Sequence, residues 1–409
     1  MIENEALLRQ LAQTYEGSMY LFEIEKLKER VAYLKKHIAQ KTNLCYAVKA
    51  NTFLIGALKN DVERFEACSP GEAKICMQAG VPFEKMVISG VYKTPSFIKE
   101  WMLESGGEGI YTAESKNQIT LLAKTAEEQK KHVKVLLRLT SGNQFGMDQL
   151  QLFEIIKERE EYPQLDFIGI QYFSGTQKQS VKRLKRELDG LCDIAKALWQ
   201  EEKFLVKELE FGPGFPVCYF GEEFDEESFL DEFAKLMQQA RERLSCECES
   251  DVQVTLELGR SIAASCGTYL TRIVDVKENK GQHYAIIDGG IHQISYYGQM
   301  MAMKQPVMHV IRNSNEKESC ETNIPWNICG SLCTGNDILA KQMMLPPLKE
   351  GMLLAFSNAG AYCVTEGISL FLSRSLPHVF LIREDGTVLH VRDEVQTQNL
   401  NSADLHLHK

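Results

Sequence analysis

The sequence has no C-x-x-C pair and no paired Cys/His spacing of the kind that closes a zinc site, although it holds 12 cysteines in 409 residues. No metal is therefore expected. No apolar run reaches the roughly 18 residues that would carry a helix across a bilayer. The opening MIENEALLRQ is acidic and polar where a secretory signal is basic and then apolar. Positive charge is in deficit: 46 Lys and Arg against 56 Asp and Glu give a net charge of -10. That balance argues against nucleic acid or an anionic membrane surface as the main partner. Reduced thiols in a cytoplasm are the resulting expectation, most of them small buried apolar side chains. Internal repeats, low-complexity tracts and long Pro/Gly linkers are also missing.

What is present is enough apolar material for a large core, 44% hydrophobic residues against 25% charged, in a length that suits two domains. Eight short, often β-branched runs mark strands: 44–48, 62–67, 86–89, 109–112, 133–139, 165–172, 205–211 and 252–257. Helical spacing fills the gaps, as in GEAKICMQAG, with Gly80 as its C-cap, and DQLQLFEIIKEREEY. The charge-rich stretch 178–203 reads as a solvated helix face. Eight strands alternating with helices predict an α/β fold, a (β/α)8 TIM-type barrel, over residues 25–260.

After ELGR (257–260) the pattern turns to strands with little helical spacing, and REDGTV reads as a hairpin turn. Residues 261–409, joined by 1–24 through GSMYLFE, are expected to form a separate β domain.

Working residues of such a barrel lie where its strands end. Lys49 follows the first run, Ser69 and Glu72 the second, Thr176 the sixth, GPG (212–214) the seventh, and Glu257 and Arg260 close the eighth. Singly these are ordinary: a lysine past a strand usually faces solvent, and turn-formers end many strands. Together, a lysine, a phosphate-sized cradle and a carboxylate on one rim suggest pyridoxal 5'-phosphate.

The ordered set GSMYLFE, YAVKAN, SPGE, GTQ, GPGF, ELGR, CGSLCTGND and NAGAY spans nearly the whole chain. It resembles the fold type III pyridoxal-phosphate decarboxylases, which include diaminopimelate, ornithine and arginine decarboxylases, with an alanine racemase-like barrel-plus-β design. The resemblance implies a carboxy-lyase in which Lys49 bonds the cofactor and Glu257 pairs with its pyridine nitrogen. Arg260, Thr176, Tyr362 and the backbone of Gly212, Pro213 and Gly214 would hold the phosphate, with Glu72 on the same rim. Cys333 would give a proton to Cα after CO2 leaves, reaching the site across a homodimer interface. Thr334 and Asp337 would meet the substrate.

This chain departs from the family at several positions. Phe173 stands where a histidine usually stacks on the cofactor; a phenyl face still stacks but moves no proton. Pro213 removes one backbone N–H from the phosphate loop, and Glu66 replaces the usual aspartate. Thr334 replaces the acidic residue that binds a distal ammonium, and DGGIHQISYY lacks the arginine for a distal carboxylate. Lysine, ornithine and diaminopimelate are therefore expected to be poor substrates.

NQFGMD, SGTQ and SLCT resemble the branch that acts on a glutamyl group tethered to an acyl carrier protein, as in butirosin-type aminoglycoside pathways in secondary metabolism. An acidic carrier would look for basic surface, either KRLKRE or the region of Lys93 and Lys99. Two other classes share the fold. A racemase would set an arginine against the pyridine nitrogen, which Glu257 opposes. A non-catalytic cofactor carrier is usually a lone barrel.

Overall fold

The computed structural model describes residues 4–38, 42–248, 251–296, 301–312 and 322–403, so Cys320 lies outside it. Two compact units emerge: Arg30–Val217 with Asp225–Ile262, and Met1–Glu29 with Cys218–Phe224 and Ala263–Lys409. Strand β1 (Met19–Glu23) belongs to the second unit. The next eight close a parallel barrel in sequence order: β2 (Thr42–Ala47), β3 (Arg64–Ala67), β4 (Met86–Ile88), β5 (Ile110–Ala113), β6 (Val133–Leu139), β7 (Leu165–Phe173), β8 (Glu208–Gly212) and β9 (Gln253–Leu258). Each arises from one of the eight apolar runs.

The connecting helices start where the sequence supplies a capping oxygen. Ser69, Thr94, Ser115, Asp148 and Ser180 each accept the backbone N–H three residues on, which satisfies an otherwise orphaned donor. Gly80, at φ +75°, ends the helix Pro70–Gln78 as expected of a left-handed glycine. Cys45, Val87, Ile110, Leu136 and Ile168, one from each of five strands, form an apolar cluster.

The other unit is a nine-stranded sheet completed by β10 (Gly267–Asn279), β11 (Gln282–Ile287), β12 (Met308–Ile311), β13 (Ile324–Cys329), β14 (Ile338–Leu345), β15 (Leu353–Phe356), β16 (His378–Ile382) and β17 (Val388–Arg392). GSMYLFE does join it: β1 pairs antiparallel with β10 and parallel with β16. REDGTV is the β16–β17 hairpin, closed by Arg383 N–H donating to the Thr387 carbonyl at 2.9 Å with Gly386 at φ +78°. Leu8, Leu11, Met19, Leu21, Leu270, Ile311, Leu353 and Phe380 form a core of this unit.

Among the described residues no helix is long and apolar enough to cross a membrane, and the cysteines described are free thiols.

Candidate active site

Strand β2 lies between β9 and β3, so its neighbours bring carboxylates to both sides of it: Cys45 pairs with Glu257 and Ala47 with Glu66. The chain then turns through a 3-10 turn at Val48–Ala50, where the Tyr46 hydroxyl donates to the Asn51 carbonyl at 3.0 Å and Asn51 Oδ1 accepts from Phe53 N–H. Lys49 sits in that turn. Its Nζ donates to Glu66 Oε2 at 2.9 Å and Glu257 Oε1 at 3.3 Å, with Cys68 Sγ at 3.8 Å. The lysine is half-buried, whereas the two carboxylates it links are buried. Lys49 is thus not a freely solvated cation but is tied to both carboxylates.

Two acids sharing one ammonium do not titrate alike. Burial raises both, but on Glu66 the charge and hydrogen bond of Lys49 outweigh it and bring the carboxyl down to about 2. Glu257 goes the other way, to about 7, through burial and the repulsion of Glu66. Arg138 lowers both from a distance. It is held in place by Glu114 Oε1 at 3.1 Å, whose other oxygen accepts Gly146 N–H. Within VKVLLRL this arginine looked like part of an apolar strand, and its role at the site was missed.

The barrel interior holds more charge than its apolar runs suggested. Half-buried Arg64 pairs with buried Glu208, and Thr255 Oγ1 donates to Glu208 at 2.9 Å. Glu210 is fully buried, and Gln171 Nε2 donates to one of its oxygens at 2.7 Å. Burial, with Glu257 and Glu208 nearby, pushes its carboxyl well above the usual range.

The loops after β7 and β8 interlock. A Cβ at Gly212 would come within 2.5 Å of the Phe173 ring, and one at Gly214 within 2.1 Å of the Gly175 carbonyl and 3.0 Å of the Thr176 Cα. Gly214 also has φ +62°, so it must be glycine. Gln177 fastens the second loop by donating to the Val217 carbonyl at 2.9 Å and accepting its N–H at 2.7 Å.

Lys178, expected on a solvated face, is instead buried. It donates to Ser174 at 2.9 Å and Glu187 at 2.7 Å, and its N–H bonds the Gly214 carbonyl at 2.9 Å. The helix that follows, Val181–Glu202, is solvated as read, with its own pairs Arg183–Glu187 and Lys185–Asp189. Replacing Gly214 by alanine is expected to open this cradle and weaken cofactor binding at least about tenfold while leaving the barrel folded. Absorbance titration with cofactor, alongside circular dichroism, checks it.

Other expected positions fare differently. Glu72 accepts Cys68 N–H at 2.7 Å from the first turn of its helix, and burial raises its carboxyl. Arg260 is buried directly after β9. Lys93 is not a surface cation: it is 6% exposed, donates to the Gly90 carbonyl at 2.8 Å and Gln118 at 3.2 Å, and burial lowers it to about 8. It cannot meet a carrier protein. Lys99 is exposed beside Glu128.

Tyr362, Cys333, Thr334 and Asp337 all belong to the β unit. Tyr362 occupies a left-handed turn at φ +65°. Cys333 is exposed on the loop between β13 and β14, with Thr334 half-buried beside it. Asp337 is buried and accepts Ile291 and Leu332 N–H, both at 2.8 Å, with no room for a Cβ at Gly290 or Gly330 against it. Its two oxygens thereby hold the Cys333 loop.

The donor set suits pyridoxal phosphate: a lysine held between two buried carboxylates of opposite proton affinity, and a close-packed glycine cradle on neighbouring strand ends.

Known proteins agree. The family described as pyridoxal-dependent decarboxylase, pyridoxal binding domain, matches residues 24–264. The L-glutamyl-[BtrI acyl-carrier protein] decarboxylase of Niallia circulans is 24% identical, covering 95% of this chain and 94% of its own. The diaminopimelate decarboxylase of Aquifex aeolicus is also 24% identical, over 87% and 84%. The crystal structure of diaminopimelate decarboxylase from Helicobacter pylori complexed with L-lysine has the same fold, with a TM-score of 0.83 over 96% of this chain and 98% of that one at 21% identity. With more than half of the chain matched by this family, and the two relatives above both amino-acid decarboxylases, this protein belongs to the pyridoxal-dependent decarboxylases of fold type III.

Proposed function

We propose that the enzyme removes CO2 from Cα of an amino acid whose distal end carries no free ammonium, a carrier-linked glutamyl group being the leading candidate. The observation that carries this reading is Thr334, an uncharged side chain beside the exposed Cys333 where an ammonium would need an acid. A thioester masks the side-chain carboxyl of a tethered glutamyl group, so no charge awaits pairing. The Niallia circulans relative is named for such a substrate.

Pyridoxal phosphate, when bound, supplies the electron sink that makes loss of CO2 feasible. Lys49 would hold it covalently, and Glu66 keeps that amine at the barrel mouth. Glu257 would hold a proton against the pyridine nitrogen, a task that suits a carboxyl titrating near 7. Arg260, Thr176, Tyr362 and the 212–214 loop would bind the phosphate, with Phe173 against the ring. Cys333 would return a proton to Cα.

The decisive experiment follows CO2 from purified holoenzyme given free glutamate, lysine, ornithine, diaminopimelate and glutamyl-carrier protein. The carrier-linked substrate is expected to exceed each free one by at least about 100-fold in kcat/KM. Efficient turnover of any diamino acid would sink the reading.

The exposure of Cys333 also fits a thiol supplied to a second chain in a homodimer. Mixing Lys49→Ala with Cys333→Ala protein is then expected to restore about a quarter of the activity, the share that random pairing gives one intact site of two. No recovery, with mixed dimers present, would count against shared sites.

A further inference from the structure

Far from the barrel chemistry in sequence, the β unit gathers two imidazoles and a carboxylate. His378 opens β16, His390 lies on β17 opposite Phe380, and Asp393 follows that strand. No short Cys/His spacing marks this cluster, because the ligands meet across an antiparallel hairpin. A register shift between Val379 and Phe380 brings them to one point. His378 Nδ1 is 3.1 Å from His390 Nε2 and 3.1 Å from Asp393 Oδ1, and His390 Nε2 is 4.0 Å from that same oxygen.

The tautomer follows from the partners. His378 Nε2 faces the Glu16 carbonyl at 3.1 Å, an acceptor only, so Nε2 carries the hydrogen. Nδ1 therefore presents its lone pair to the other two groups. Glu394 N–H points to the same place, at 3.1 Å from Nδ1 and 2.8 Å from Asp393 Oδ1.

Both rings are fixed by aromatic packing. The His390 ring stacks on Phe380 at 4.5 Å and 16°, while Tyr15 packs against His390 at 4.8 Å and His378 at 5.3 Å. A backbone carbonyl behind a metal-ligating histidine is also the usual way of aiming its free nitrogen.

In a tetrahedral site with bonds of about 2.0–2.1 Å, ligand atoms stand about 3.3–3.4 Å apart. The three separations here bracket that value. We propose that His378 Nδ1, His390 Nε2 and Asp393 Oδ1 bind one divalent transition cation of the zinc class, with solvent completing its coordination. Imidazole nitrogen selects against magnesium and calcium, which prefer oxygen alone. Binding asks Glu394 N–H to give up Nδ1 and keep Asp393. The ion would pin the β16–β17 hairpin, and through the Glu16 carbonyl the segment leading into β1, so its role is structural and separate from decarboxylation.

The test uses chelator-treated holoenzyme titrated with zinc chloride by calorimetry, with thermal unfolding in parallel. Wild type is expected to take up one Zn²⁺ more per chain than His390→Ala, in the low micromolar range or tighter, and to gain several degrees in Tm that the variant does not. His390 and Asp393 are at the surface, so His390→Ala and Asp393→Asn should both fold; Asp393→Asn should weaken binding at least about tenfold. Other histidines in the chain cancel in the comparison. Equal uptake by wild type and His390→Ala, no saturable uptake by wild type, or an equal Tm gain with magnesium chloride would each overturn the proposal.

Discussion

Lys49→Ala is expected to lower decarboxylation on the order of 10⁴-fold or more, the scale seen when a covalent nucleophile is deleted, and to abolish the visible absorbance of lysine-bound cofactor. A second consequence comes from what the lysine holds apart. Glu66 titrates below its unfolded value in the wild type because Lys49 stabilises its anion. A depressed carboxyl stabilises the fold above its unfolded pKa, near 4.5, and that contribution is lost as pH falls toward 2. Without Lys49 it is missing at neutral pH, and two buried carboxylates face each other. The cofactor-free variant should be less stable than wild type by about 1–2 kcal/mol at pH 8, a figure discounted for the partial exposure of the lysine. The deficit should shrink toward pH 6 as the pair takes up a proton. Denaturant melts at the two pH values check this; an equal deficit at both would mean that Lys49 contributes packing and not charge.

How much of this was legible in the sequence depended on the range of the signal. Strand periodicity is local, and each of the eight apolar runs became a barrel strand because a strand buried on both faces must be apolar along its length. Helix starts were equally local, written in Ser69, Thr94 and Asp148. The positions of Lys49 and Glu257 were legible because strand ends in a closed barrel converge, whatever the intervening sequence. Cross-strand polar networks were not. Gln171 and Glu210 stand on neighbouring strands and meet only after β7 and β8 pair, and Lys178 looked like one more charge in a charged run until the 212–214 loop closed over it. Lys93 misled for the same reason: burial belongs to the fold, and a lysine's letter says nothing about it. The hydrogen bonds by which Asp337 holds its own loop, to Ile291 and Leu332 N–H, were likewise invisible in the sequence because one of them reaches a distant segment.

Glu257→Gln tests the other half of the carboxylate pair, and its two effects should run in opposite directions. As the proposed partner of the pyridine nitrogen, Glu257 is worth about 10²–10³ in kcat, comparable to the loss of one well-placed electrostatic contact in other active sites. Cofactor should still attach, since Lys49 remains. Stability moves the other way. Glu257 titrates near 7 in the cofactor-free fold against about 4.5 unfolded, so between these values the folded state binds more protons than the unfolded one. Wild-type stability then falls as pH rises from about 4.5 to 7, and it does not recover above. Glutamine cannot ionise, so the variant should lack this decline and match or exceed wild type at pH 8 by about 1 kcal/mol. Glu210→Gln is the control. Glu210 is buried against Gln171 and its carboxyl is raised by burial and the neighbouring acids, so Glu210→Gln should also remove a decline of stability at high pH but leave kcat nearly unchanged. If Glu210→Gln lost as much turnover as Glu257→Gln, the effect on kcat would belong to the barrel interior as a whole. If Glu257→Gln gains stability at high pH and it alone loses turnover, Glu257 is a group kept at a cost to the fold for the charge it carries during the reaction.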